Sequence, residues 1–204
     1  MCQDRVIALV AMSDEAVFPL IGEPLALDLV NTRPHTLDGP VDLLATRAGL
    51  QTWLDAQAER LTSPPTRVSE VEVGRVAALR DHIATAVDHA RRSERPPPSS
   101  LKALTDAQTA APMWQLLAWD GRAVTATSQR SGDAVDRLLA DLSYAATDLL
   151  TDPQVTSIRR CAGPDCTLLF LPDNPRRQWC SPTLCGNRVR VARYYERHSK
   201  LLRG

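Results

Sequence analysis

Four of the five cysteines fall within the last 44 residues, as Cys161-x4-Cys166, a gap of thirteen, and Cys180-x4-Cys185. This spacing constrains the chain more than any apolar pattern, because each pair closes a small chelate loop and the two loops together can surround one tetrahedral cation. Ala162, Gly163, Pro164 and Asp165 inside the first loop favour a turn that aims amides at sulfur. Soft thiolates select zinc or iron over hard cations, and zinc fits best. The expected ligands are Cys161, Cys166, Cys180 and Cys185 around one Zn2+. Four protein sulfurs leave no coordination position for water, so the metal is read as a scaffold. Two disulfides or four unconnected thiols are the plainer alternatives. No export signal is recognisable, and in a reducing compartment cysteines more often bind metal.

The surrounding residues suggest how the ligands are carried. Ser181 can cap a helix with Pro182 at its first position, which puts Cys180 just outside that helix and Cys185 in its first turn. Leu168 to Leu171 reads as one strand and Gln178 with Trp179 as the start of its return, joined by Pro172, Asp173, Asn174 and Pro175. A knuckle, a short hairpin and a helix start describe a treble clef. So small a segment buries little surface, whereas structural zinc supplies about 10 to 16 kcal/mol in finger peptides, so the segment is expected to unfold without metal.

The charge is divided between two regions. The chain carries 24 basic and 24 acidic residues, which excludes a uniformly basic coat for nucleic acid. Residues 153 to 204 nevertheless hold ten cations and three acids, and residues 1 to 152 hold fourteen and twenty-one. On a helical wheel Leu184, Val191, Tyr195 and Leu202 form a narrow apolar stripe, with Arg190, Arg193, Arg197 and Lys200 on the opposite side. Arg176 and Arg177 would extend that row. Arg188, beside the stripe, is expected to be partly buried and paired with Asp173 or a carbonyl. A row of cations is what phosphate binding requires, so DNA is the expected partner. The alternative is a non-catalytic, zinc-stapled interaction module whose basic helix docks on an acidic protein surface, including the chain's own first region. A homodimer would multiply the few phosphate contacts, although no residue pattern demonstrates one.

The chain as a whole is 44% apolar with only nine aromatics, which suits a helical core of Leu, Val and Ala. Val6 to Met12 reads as an edge strand or extension, and Leu25 to Val30 as a strand leading to a turn. Helical spacing runs from Asp42 through Leu54 to Thr62, and again over Val76, Leu79, Ile83 and Val87. A shorter helix over Leu101 to Ala110 would be capped by Ser99 or Ser100. Asp120-Gly121 between β-prone runs predicts a hairpin. Asp133 can cap a long helix with a wide apolar stripe from Val135 to Leu150. The predicted fold is α+β and mainly helical, with an N-terminal domain over residues 1–153 and a finger over 154–204. No apolar run approaches the roughly 20 residues that cross a bilayer, so no membrane partner is expected and the location is read as cytoplasmic. Asn31, Thr32, Arg33 and His35 are the candidate lining for a small effector, the plainer reading being a turn that bonds its own backbone. There is no phosphate loop, zinc-protease motif or nucleophile elbow, so an enzyme is not expected.

These residues carry a resemblance. The Cys-x4-Cys pair, Leu169-Phe170-Leu171, Asp173, Arg177-Gln178-Trp179-Cys180-Ser181 and Cys185-Gly186-Asn187-Arg188 resemble the CGNR zinc finger, over about residues 155 to 200. Upstream, Leu25 to Thr32 followed by Asp42, Leu43, Leu44 and Trp53 resembles the ABATE domain that commonly precedes it. The resemblance implies a bacterial, stress-responsive transcription regulator with a treble-clef finger for DNA and an N-terminal domain that binds an unknown ligand. One departure is visible: Asn174 and Pro175 shorten a turn that is usually rich in Ser and Asn.

Overall fold

The computed structural model describes residues 20, 22–36, 39–62, 64–191, 194 and 198. The strand or extension expected over Val6 to Met12 lies outside them, as do Arg193, Tyr195, Arg197, Lys200 and Leu202.

Helix α3 (Glu70–Ala90) is the spine of the first region. Ser69 starts it with a capping box: its hydroxyl accepts from the Glu72 amide, and the Glu72 carboxylate accepts from the Ser69 amide. Its inner face, Val73, Val76, Leu79, Ile83 and Val87, is buried. Helices α4 (Pro98–Ala110) and α5 (Ala134–Thr151) pack against α3 and each other, and the short α1 (Leu25–Val30) lies on α3 and α5. Helix α2 (Arg47–Ala56) adds Leu50, Trp53 and Leu54, all inaccessible to solvent. Asp133 caps α5 by accepting the amides of Val135 and Asp136 at 2.9 and 2.7 Å, and the stripe below it buries Leu138, Leu142, Ala146 and Leu149. Removing one such side chain, as in Leu142→Ala, would cost about 3 kcal/mol through lost burial and the cavity left behind.

Three sequence-based expectations are corrected. Leu25–Val30 is a helix, not a strand. It is buried on nearly every side, so it shows no periodicity, and a short apolar run without periodicity does not distinguish the two. Helix α2 begins at Arg47, capped by Thr46, while Leu43 and Leu44 form the preceding turn. A Cβ at Gly49 would drive into the Leu43 carbonyl, which is why glycine closes this corner. Helix α4 starts at Pro98 after Pro97, with no side-chain cap, and Ser100 is buried inside it. The Asp-Gly hairpin is present as β3 (Met113–Trp119) and β4 (Val124–Arg130), with Gly121 at φ +96° and the Asp120 carboxylate accepting the amides of Arg122 and Ala123. A small hairpin of β1 (His35–Thr36) and β2 (Gly39–Pro40) follows α1.

After a 3-10 turn at Pro153–Ser157, strand β5 (Arg159–Arg160) pairs antiparallel with β6 (Leu169–Phe170). The return strand expected at Gln178 and Trp179 does not form. The outer edge of β6 is already occupied by Asn31, and the Gln178 carbonyl instead accepts the Ala162 amide at 2.9 Å. Val155, Ile158 and Leu169 complete the helical core, whereas Leu168 and Phe170 pack with the cysteines and Trp179 in a second cluster.

Candidate metal centre and its seam with the helical domain

The knuckle places Cys161 at the end of β5, with Gly163 and Asp165 turning the chain back to Cys166. Asp165 sits at φ +59°. A Cβ at Gly163 would lie 3.2 Å from the Cys185 Cβ and 3.3 Å from its sulfur, so the residue is small to let the two loops meet. The second loop enters a wide turn, Pro182–Gly186, which runs into a helix described over 187–191. Pro182 opens that turn as expected, and the Ser181 and Thr183 hydroxyls meet at 2.9 Å.

The four Sγ atoms all lie within 4.8 Å of one another, with Cys180 3.6 Å from Cys185 and 3.9 Å from Cys166. Sulfurs tetrahedral about zinc at about 2.3 Å stand roughly 3.8 Å apart, so the cage fits that ion. None of the four is in a disulfide. The Gly163 and Cys180 amides donate to Cys161 Sγ at 3.4 and 3.3 Å, and Arg188 donates to Cys185 Sγ at 3.5 Å. Donors aimed at sulfur suit thiolates. Without a cation so close a group resists full ionisation: Cys166 is lowered to about 5, chiefly by the hydrogen bond from Cys180. Cys180 is pushed up by that same bond and by burial, and Cys185 is pushed up to about 12 by burial and by Cys166. A divalent ion removes that conflict. The chain therefore carries one structural zinc site.

The expected cations are used unequally. Arg177 is turned inward, which corrects its place in an outward row. It donates to Glu23 at 2.9 Å and to the carbonyls of Trp179, Leu171 and Cys180, and lies 4.6 Å over the Phe170 ring. The other Glu23 oxygen accepts the Leu171 amide at 2.7 Å. Burial pushes the Glu23 carboxyl up against these partners. Arg176 is exposed beside a depression of about 520 Å3 shared with Trp179 and Pro182. Arg190 is exposed and folds along its own helix toward Gly186, Pro182 and Asn187. Arg188 reaches a carbonyl, that of Pro164 at 3.1 Å, although it is exposed rather than partly buried. Val191 is 53% exposed and does not join an inward stripe; Val189 is the buried valine.

The candidate effector residues also divide. Asn31 is buried, its amide donating to the Leu169 carbonyl at 2.9 Å and accepting the Leu169 amide at 2.8 Å. Thr32 donates to Leu29 and accepts from Arg80. Both are held in structural hydrogen bonds, and Asn31 also borders a cleft of about 220 Å3 with Arg33, Arg80, Arg160 and Thr167. Arg33 and His35 do border a cleft of about 370 Å3 between the two regions, lined also by Asp42, Arg160 and Thr167, and Arg33 is paired there with Asp42 at 3.1 Å and with Asp81 at 2.9 Å. The sequence reading missed Arg160 and Thr167, since neither lies in a motif. It also missed Arg80, buried in α3 and forked onto Asp42. A signal existed: Arg80 stands four residues after Val76 and three before Ile83, in the apolar stripe itself.

A helical domain clasped to a four-thiolate finger is the architecture these features define. Residues 23–153 match the ABATE family, described as "Putative stress-induced transcription regulator", and residues 157–198 match the CGNR zinc finger. The chain belongs to the ABATE family and also carries a CGNR zinc finger. A search of curated proteins returned no match. Among the described residues no helix is long and apolar enough to cross a membrane.

Proposed function

We propose that this protein is a non-enzymatic transcription regulator that grips duplex DNA with a zinc-held, treble-clef-like finger. The observation that carries the reading is the charge division: the last 52 residues hold an excess of seven cations on a chain with none overall. A zinc tetrathiolate subtracts about two of these and leaves roughly five. Arg176 and Arg190 support it from the exposed side of the finger, and Arg193, Arg197 and Lys200 continue the same sequence pattern. Such contacts position a protein on phosphates without reading bases. In this reading the effector is a small molecule held in the cleft beside His35 and Arg160, where an anionic group would meet Arg160 rather than Arg33, which Asp42 and Asp81 already engage, and where it would touch both regions at once.

The test is retention on random duplex DNA across a salt series, comparing the zinc-loaded chain with its Arg176→Ala, Arg190→Ala, Arg193→Ala, Arg197→Ala variant. Weaker binding and a salt slope flatter by about 0.9 per lost contact support the reading. Equal binding by both proteins rejects it. The competing acidic-surface reading draws on the finger's contact with Glu23, and predicts instead tighter binding to an acidic polypeptide than to DNA.

A further inference from the structure

Among the described residues the strands of hairpin β3–β4 are exposed almost throughout and pack chiefly on each other. Its base is tied down by Arg130, which donates to Asp141 at 2.8 Å and to the Ala111 carbonyl at 3.2 Å. Beyond that base every residue of β3 is exposed, including Trp114, Leu116, Leu117 and Trp119. On one face Leu117, Trp119, Val124 and Ala126 form a cross-strand block, with Leu117 and Trp119 each 65% exposed. An isolated two-stranded hairpin is marginally stable in water, and one that exposes tryptophans is more costly still.

Strand β3, Met-Trp-Gln-Leu-Leu-Ala-Trp, contains no charge, no proline and no glycine. Native sheets blunt free edges with lysine, proline or bulges, and this edge has none of these devices. Its hydrogen-bond phase can be read from the turn. Asp120 donates to the Ala123 carbonyl, which makes that pair hydrogen-bonded. Alternation along the antiparallel ladder then turns the N–H and C=O of residues 113, 115, 117 and 119 outward.

We propose that β3 is a dimerisation edge, onto which a second copy of this chain adds its own β3, antiparallel and centred on Leu116. The strand is self-complementary in this register. Residue 113 faces 119 of the other copy and 115 faces 117, so outward groups meet outward groups, and all seven residues stay paired. Met113 then lies beside Trp119, and Leu116 beside its own copy on the twofold axis. The lack of charge along the strand favours a copy of itself over an acidic or basic partner. Trp114, Leu116, Leu117 and Trp119, each about half to two-thirds exposed, leave an apolar surface on the order of a few hundred Å2 that a second copy would cover in part, while the outward main-chain groups of residues 113, 115, 117 and 119 supply the hydrogen bonds of the pairing. The pairing does not depend on the DNA reading, and its assay contains no nucleic acid.

The experiment is sedimentation of the full zinc-loaded chain over a concentration series, for the wild type, Leu117→Pro and Leu116→Lys. Proline at 117 removes an outward N–H while leaving the β3–β4 bonds intact. Lysine at 116 sets like charges against each other on the axis. The wild type should convert from monomer to dimer by mass action, and both variants should stay monomeric with unchanged helical circular dichroism and zinc content. Mixing Leu116→Lys with Leu116→Glu should restore a dimer of one copy of each. A wild type that is monomeric throughout overturns the proposal, as does a Leu116→Lys dimer as tight as wild type or a mixture that fails to pair.

Discussion

Arg80 grips both carboxylate oxygens of Asp42, Nη1 to Oδ1 at 2.6 Å and Nη2 to Oδ2 at 2.7 Å, from a position in α3 that solvent scarcely reaches. The same guanidinium donates to Thr32, and Asp42 also accepts the Leu44 amide. One fork therefore holds the turn after α1 and the turn before α2 against the spine. Arg80→Ala leaves the partly buried Asp42 with only Arg33 and the Leu44 amide, and should destabilise the chain by about 2 to 3 kcal/mol in chemical denaturation. Arg80→Lys should recover little of this, because an ammonium cannot make the paired contact.

The same contact predicts an acid limb. Asp42 is lowered to about 2, first by the Arg80 hydrogen bond, which outweighs its burial. A carboxyl lowered in the folded state contributes stability that is complete above its unfolded value near 4 and is lost as pH falls toward 2. Discounted for partial exposure, the contribution is about 1 to 2 kcal/mol. Burial pushes Glu23 and Asp28 up, so protonating them works in the opposite direction as pH falls. The clean measurement is the difference between wild type and Asp42→Asn from pH 5 to pH 2: it should shrink as pH drops. A constant difference would contradict the assignment.

Asn31 and Leu169 exchange two buried hydrogen bonds across the seam. Asn31→Ala strands an amide and a carbonyl on β6, and at about 1 to 3 kcal/mol for each group should cost about 2 to 6 kcal/mol. Faster amide exchange at Leu169 would locate the loss, and unaltered protection there would refute the clasp.

Removal of zinc should be felt beyond the finger. Purified protein is expected to carry close to one equivalent by elemental analysis. Because Leu169 belongs to the helical core and Arg177 joins Glu23 to the zinc loop, a chelator should lower the melting temperature of the whole chain. Two separate transitions, with the upper one unmoved, would show that the seam transmits nothing.

Arg177 offers a distinction between bracing and phosphate binding. Arg177→Ala should lower stability by about 2 to 4 kcal/mol, since it leaves Glu23 buried without its cation. Arg176→Ala should leave stability within about 0.5 kcal/mol, as surface changes usually do. Denaturation midpoints of the two variants, measured side by side with zinc bound, provide the check.

The amino-acid sequence by itself determined the sulfur cage, the Asp-Gly hairpin and the amphipathic helices α3 and α5, because each depends on residues close in the chain: chelate spacing, turn chemistry, capping and a helical period. Only the tertiary structure decided the rest. Leu25–Val30 became a helix since it is enclosed on nearly all sides, where no periodicity survives to be read. Asn31, Thr32 and Arg177, polar and open to ligands or phosphates as far as local pattern goes, are consumed by partners that the fold brings from far along the chain, 138 residues away for Asn31 and 154 for Arg177. A polar side chain in a sequence shows what it can bond to, and the folded chain decides whether that capacity is still free.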